Sequence, residues 1–507
     1  MTSINSDFMS QLALRSLGNS SNMMTQAMER LSTGKRVNSA ADDAAGLGIA
    51  TKLKAQVNSL NAATRNATDA LALIGTIDGA LEESSEILLR LRELAVQSSS
   101  DTNTGTDRSF IQDEVNALNN ELNRISSSTE FNGVKLLDGT YNNKSIQIGT
   151  GANQVFNIGV TATDSTTLGA YELESLSEHL GTTVASSAAA VAAATALINV
   201  GANYTVAGSF GSTTVNVADG DDAKTIAQAF NLASGTTGIN ASATTKAQLT
   251  AVAAETWSFN LKGKGATAST VNATVANASN LTALKDAINS VSGSTGITAS
   301  LTEDLAGINL VQQDGYDIVF ADASGSGSGS MSIRAANKNG EVGTASGLSG
   351  NAAAVAFGAT TTLDSQAVIG QVSLSSHKAF TVTSGNAANH FATDTTAQAS
   401  ALQTMGAVDI SSQTGASNAL SVIDGAIAMI SEVRSEMGAA ENRLTSTVDN
   451  LSNVSVNTQR SLTSVEDANF ASETSALTKA QILQQAATSM LAQANKAKQT
   501  MLVLLQG

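Results

Sequence analysis

The chain has 507 residues, a formal net charge of −16 from 27 Lys and Arg against 43 Asp and Glu, and neither cysteine nor proline. Zero cysteine excludes disulfide scaffolds, thiol catalysis and cysteine-ligated metals, and only His179, His377 and His390 remain for zinc or general-base chemistry. So acidic a chain is repelled by phosphate backbones and anionic lipid, which argues against nucleic acid and membrane as partners.

The first predicted helix carries Leu14, Leu17, Met24, Met28 and Leu31 on one seam, flanked by Ile4, Phe8 and Leu12. Asp42-Asp43 could be read as a paired-carboxylate site, but Ser39 as N-cap with Asp42 at the third helical position explains it without chemistry. From Leu53 an apolar residue recurs every seven positions through Leu60, Ala67, Ile74, Leu81, Leu88 and Ala95, the pattern of one long helix. After a polar break at 98–105, Ser109 and Gln112 read as a capping box for a second helix along Ile111, Val115, Leu118, Leu122 and Ile125. Asn132-Gly133 and Asp138-Gly139 read as hairpin turns, and Ile146/Ile148 and Phe156/Ile158/Val160 as strands.

Between 171 and 405 the composition shifts to Ala, Thr, Ser, Gly and Val. Strand-like alternation appears at Thr213–Val217, Trp257–Leu261 and Tyr316–Phe320. Ser234–Ser242 recurs as Ser292–Ser300, each copy after a short helical stretch, so the region contains two α+β repeats, at 213–265 and 266–322. No phosphate cradle, sugar site, nucleotide site, metal site, cofactor site or catalytic nucleophile stands out. Helical periodicity returns near Ala416, with Ile423, Ile427, Ile430, Met437, Leu444, Val448 and Leu451 on one stripe. The last stripe runs through Ala480, Leu483, Ala487, Met490, Ala494, Ala497, Met501 and Leu504. The two terminal stripes are too narrow to bury alone, so they need each other or other chains; periodicity admits both an intramolecular bundle and a polymer. Residues 1–8 lack the basic and apolar regions of a cleaved signal peptide, and Ala-rich 184–201 lacks the Leu/Ile/Val/Phe density of a membrane span. Absence of proline suits a chain that is exported unfolded and must refold without prolyl isomerisation.

The motifs at Glu29–Ala50, Leu91–Gln97, Phe131–Leu137 and Leu491–Leu505 resemble bacterial flagellin, in the right order at both ends. The resemblance covers about 1–165 and 410–507, and the internal repeat is similar to small modules in flagellin variable regions. It implies a multidomain α+β fold: a terminal coiled coil (1–45 with 460–507) forming an inner tube, a helical shell with a small β-hairpin region (46–170 with 406–459) forming an outer tube, and β-rich projecting domains at 171–405. The inner-tube packing would then use Leu14, Leu17, Met24, Met28, Leu31, Leu483, Ala487, Met490, Ala494, Met501 and Leu504. The resemblance further implies a non-enzymatic filament subunit, exported by the flagellar type III apparatus and assembled extracellularly at the tip. Its implied partners are itself, the cap and hook-junction proteins, and an export chaperone at the C-terminal helix. A host Toll-like receptor would read Arg90, Leu94, Gln97 and Glu114, and O-glycans would sit on 171–405. A hook–filament junction protein and a secreted adhesin are the competing readings.

Overall fold

The computed structural model describes residues 8–175, 182–185, 203–264, 267–302, 304–325, 329–340, 342, 355–357, 365–385, 391 and 396–505. Long helices occupy both ends: α1 (Phe8–Thr33), α2 (Ala44–Ser98), α3 (Gly105–Ser128), and, after the central β region, a 54-residue helix (Gln413–Glu466) and a 36-residue helix (Phe470–Leu505). The central region adds α4 (Ala223–Leu232), the single turn α5 (Ser234–Thr237), α6 (Thr282–Ser290) and the single turn α7 (Ser292–Thr295), so the two C-terminal helices are α8 and α9. Contacts divide the chain into two compact units, one of residues 1–75, 143–159 and 438–507, the other of residues 76–142 and 160–437.

In the first unit α1 and α9 pack antiparallel, and the first half of α2 meets the second half of α8 through Leu60, Ala63 and Leu451. A hairpin of strands 144–147 and 155–158 lies against these helices, Asn66 donating to the Gln147 carbonyl and Arg443 standing 5.0 Å over the Phe156 ring. The start of α2 differs from expectation. Asp43, not Ser39, is the cap, its Oδ1 accepting the Gly46 N–H at 2.8 Å. Asp42 instead folds back on the Ser39 N–H (2.9 Å) and hydroxyl (3.0 Å), bonds that hold its carboxyl below the usual carboxylate range.

In the second unit the apolar stripe of α2 is buried at Ile77, Leu81, Leu88, Leu91 and Ala95, as are Val115 and Leu122 of α3 and Ile423, Ala426 and Ile430 of α8, and Arg90–Glu114 and Arg92–Asp424 pairs join α2 to these two helices. Thr104 and Asp107, rather than Ser109 and Gln112, form the capping box of α3. Gln112 lies inside the helix and accepts the Ile410 N–H at 2.7 Å, a bond to a chain segment 298 residues away. Asn132 and Gly133, both at positive φ (51° and 77°), turn the two-residue strands 130–131 and 134–135 into a hairpin. Asp138-Gly139 makes no hairpin; Asp138 closes a side-chain turn on Thr140.

Among the described residues the central region forms three antiparallel sheets. The largest runs 297–301, 308–312, 240–250, 371–376, 169–174 and 401–404, with 331–336 also paired to 240–250. A second runs 269–274, 256–262, 318–325, 365–368 and 182–185, and a third 398–399, 381–384, 203–207 and 212–216. Each sequence repeat is a hairpin, a helix, an α-turn ending in a left-handed glycine (Gly238 at φ 74°, Gly296 at φ 70°) and a strand. The copies are therefore 203–250 and 256–301; the expected boundary at 265/266 falls inside the second hairpin, which runs from 256 to 274. The same asparagine closes each copy. The Asn231 side chain donates to the Ala241 carbonyl and accepts its N–H (2.8 and 2.7 Å), and Asn289 does the same to Ala299 (2.9 and 2.8 Å). Each amide satisfies both backbone groups of a strand residue on the side where no strand pairs with them.

Asp317 precedes Ile318 of a buried core that also holds Trp257, Phe259 and Phe320. Burial, reinforced by Asp222, raises its carboxyl to about 7, against the weaker opposing effects of the Gly370 N–H bond and Lys262. Between the unfolded value near 4 and this folded value the native state holds a proton that the unfolded chain has released, so stability falls as pH rises from about 4 to 7. Asp317→Asn is expected to remove that slope and to raise stability at pH 8 by up to about 4 kcal/mol, measured by thermal melts at pH 5 and 8 that follow the single, buried Trp257. Asn289→Ala, which strands two backbone groups, is expected to cost about 1–3 kcal/mol in the same melts.

Candidate assembly interface

The side chains that meet between α1 and α9 are small. Buried and half-buried positions of α1 follow Ser10, Ala13, Leu17, Ser20, Met24, Ala27 and Leu31; those of α9 follow Glu473, Leu477, Ala480, Gln484, Ala487, Leu491 and Ala494. Both are unbroken runs of alternating three- and four-residue steps, the signature of a coiled-coil seam. Ala and Ser at every second step let the backbones come within 8 Å Cα–Cα. The pair is locked at one end: Arg30 reaches Glu473 at 3.4 Å, Lys35 pairs with Glu466, Arg36 donates to the Val465 carbonyl at 2.8 Å, and Ala468 N–H bonds Gly34 at 2.9 Å.

This seam is rotated from the expected one. Leu17, Met24, Leu31, Ala480, Ala487 and Ala494 lie on it, but Leu14, Met28, Leu483 and Met490 are 54, 52, 40 and 58 % exposed. The side chains of Met501 and Leu504 lie outside the described residues. One residue of offset turns a side chain by about 100° around the axis, so Ala13 and Ala27 face inward where Leu14 and Met28 face out. Phe8, Leu12 and Met23 on α1 and Phe470 and Ile482 on α9 join the exposed set. Two apolar grooves result: one on α9, lined in part by Phe470, Ile482 and Leu483, and one of about 400 Å³ shared by Leu12, Met23, Leu483 and Met490.

A second surface belongs to α2 and α3. Arg90 is exposed and donates to Glu114 at 2.9 and 3.0 Å and to Glu93 at 3.0 Å. The Glu114 bond, then the Glu93 bond, raise its guanidinium value. Gln97 is exposed two turns along the same helix. Leu94 is not part of this surface: at 1 % exposure its side chain is core, because it sits with Leu91 and Ala95 on the buried stripe. The sequence showed the stripe but not which edge of it met solvent.

No group of three or more His, Asp or Glu able to hold a metal occurs among the described residues, where His377 is near Glu432 at 3.6 Å. His179 and His390 lie outside them. Among the described residues no helix is long and apolar enough to cross a membrane.

Comparison with known proteins matches residues 4–142 to the bacterial flagellin N-terminal helical region, 420–505 to the bacterial flagellin C-terminal helical region, and 258–314 to the flagellin hook IN motif. The B-type flagellin of Pseudomonas aeruginosa is 35 % identical over 506 residues and the flagellin of Salmonella typhimurium 33 % over 526, each alignment covering 99 % of both chains. A solved structure of FliC from Burkholderia pseudomallei aligns with 74 % of this chain and 99 % of its own at 17 % identity and a TM-score of 0.29, so the relationship rests on sequence. With helical regions matched at both ends and relatives above 30 % identity along nearly its whole length, the chain belongs to the bacterial flagellin family.

Proposed function

We propose that the outward faces of α1 and α9 are where one copy of this chain packs against the next, as the inner layer of a filament. The chain is a structural subunit of the bacterial flagellar filament, which lies outside the cell, and not an enzyme. The observation that carries the interface reading is the exposure of Leu14, Met28, Ile482, Leu483 and Met490 on helices whose own seam is already filled by other side chains, half of them Ala or Ser. Burying such a side chain completely stabilises by about 1.5–3 kcal/mol, and these still have 40–70 % of their surface to bury. Nine of them, with Phe8, Leu12, Met23 and Phe470, supply on the order of 10 kcal/mol. That is comparable to the entropic cost of joining two proteins, about 4–15 kcal/mol. A single pairwise contact is therefore marginal, and a helical array, in which each subunit has several neighbours, is favoured.

The finer steps extend this reading. Residues 46–170 with 406–459 form the outer layer, and 171–405 projects and carries any O-glycans. Export proceeds unfolded through the type III apparatus, a reading supported by a sequence free of cysteine and proline. A chaperone covers the apolar face of α9 before export, and cap and hook-junction proteins meet the same terminal helices at the filament ends. Arg90, Gln97 and Glu114 form the polar patch available to a Toll-like receptor, with Leu94 supporting it from beneath.

Electron microscopy after salt-induced polymerisation is expected to show long filaments from the intact chain and none from a chain lacking 480–507; filaments from both would overturn the interface. Arg90→Asp is expected to abolish receptor stimulation in a reporter-cell assay, with full stimulation the opposing result. Leu94→Ala is expected to act through stability instead, costing about 2–5 kcal/mol in a denaturant melt.

A further inference from the structure

The chain has 11 methionines and no cysteine, so thioethers are its most oxidisable groups. Their placement is uneven. Met331, Met405 and Met437 are buried, Met24 and Met429 half-buried, and the three exposed methionines among the described side chains, Met23, Met28 and Met490, all lie on α1 and α9. Met23 and Met490 line one groove from opposite helices, together with Leu12 and Leu483.

We propose that Met23, Met28 and Met490 form an oxidation site through which hydroperoxides arrest assembly of the free subunit. The inference rests on the reading of these faces as the subunit interface. The sulfur lone pair attacks one peroxide oxygen and the O–O bond breaks. The sulfur keeps that oxygen as a sulfoxide, and the other oxygen leaves as water with both protons of hydrogen peroxide. The thioether is oxidised by two electrons and the peroxide reduced by two. A flexible apolar side chain becomes a polar one carrying a strong acceptor. The groove of Met23 and Met490 is lined mainly by Leu and Ala, with Ser16, Asn19 and Ser20 as its polar side chains and the Ser20 hydroxyl already donating to the Ser16 carbonyl, so few donors meet that acceptor and each sulfoxide buried without one weakens association by about tenfold. Once copies are packed, the same sulfurs are covered, and the finished filament resists the reagent that stops the subunit.

The test treats the purified full-length subunit with hydrogen peroxide, maps sulfoxides by mass spectrometry and follows elongation of filament seeds. Met23, Met28 and Met490 are expected to oxidise ahead of Met331, Met405 and Met437; equal rates would overturn the site whatever its effect on assembly. Oxidised subunits are expected to lose elongation and to regain it after enzymatic sulfoxide reduction. Met23→Leu/Met28→Leu/Met490→Leu subunits are expected to elongate equally with and without peroxide. Unchanged elongation by fully sulfoxidised subunits, or loss that reduction does not restore, would overturn the proposal. Failure of untreated subunits to elongate seeds would instead overturn the interface reading beneath it.

Discussion

The close approach of α1 and α9 depends on what their shared seam lacks. Alanine and serine alternate there with larger side chains, so the backbones come within 8 Å and little space is left to fill. A seam in which every second residue is small buries little area per step, and Leu14, Met28, Leu483 and Met490, large apolar residues of the same two helices, lie outside it. The same choice that makes the pair thin makes it sticky. A coiled coil that turned Leu14 and Leu483 inward would bury them within the chain; in this one both stay exposed.

The second unit solves a different problem. Its helical part must stay fixed, and it does so with a conventional stripe of Ile and Leu and with ion pairs between distant segments, Arg92 with Asp424 at 2.7 Å and Arg434 with Asp78 at 2.8 Å. Such exposed pairs add only about 0.2–1 kcal/mol each, so apolar burial dominates and the charges set register. The β region reaches α8 by close packing: a side chain on Gly425 would stand 2.6 Å from the Ala170 Cβ. Here Lys338, with Glu172 at 2.7 Å and Glu174 at 2.5 Å, retains its proton because the two carboxylates outweigh the burial that opposes it.

The heptad from Leu60 to Ala95 was legible because hydrophobicity and position agreed: every seventh residue is apolar and buried, with Leu or Ile at four of the six positions. The terminal seam was harder because residues of equal size fall on both sides of it: Leu17, Met24 and Leu31 face the partner helix, while Leu14 and Met28 lie about 100° away. The caps failed for a related reason. Ser39 and Ser109 have the right residue type, but Asp43 and Thr104 are the groups placed by the incoming chain to meet free N–H donors. In the centre, the repeated Ser-Gly-Thr/Ser-Thr-Gly turn gave away the duplication, whereas its limits stayed hidden because the hairpins that begin each copy share no such motif. Leu94 shows the limit of carrying a role over by motif, since a motif fixes the residue type and the packing of its helix decides what solvent reaches.

The asparagine closures at 231 and 289 also bear on how such a chain changes through time. Each clamp joins a helix end to a strand only ten residues later, so a copied segment brings its own closure with it. A duplication can then enter the middle of the chain without rewriting the ends, and the duplicate is free to diverge at its hairpin tips. The centre of the chain and the two ends that match the flagellin helical regions are in this way separately heritable, and the one can be renewed while the other stays the same.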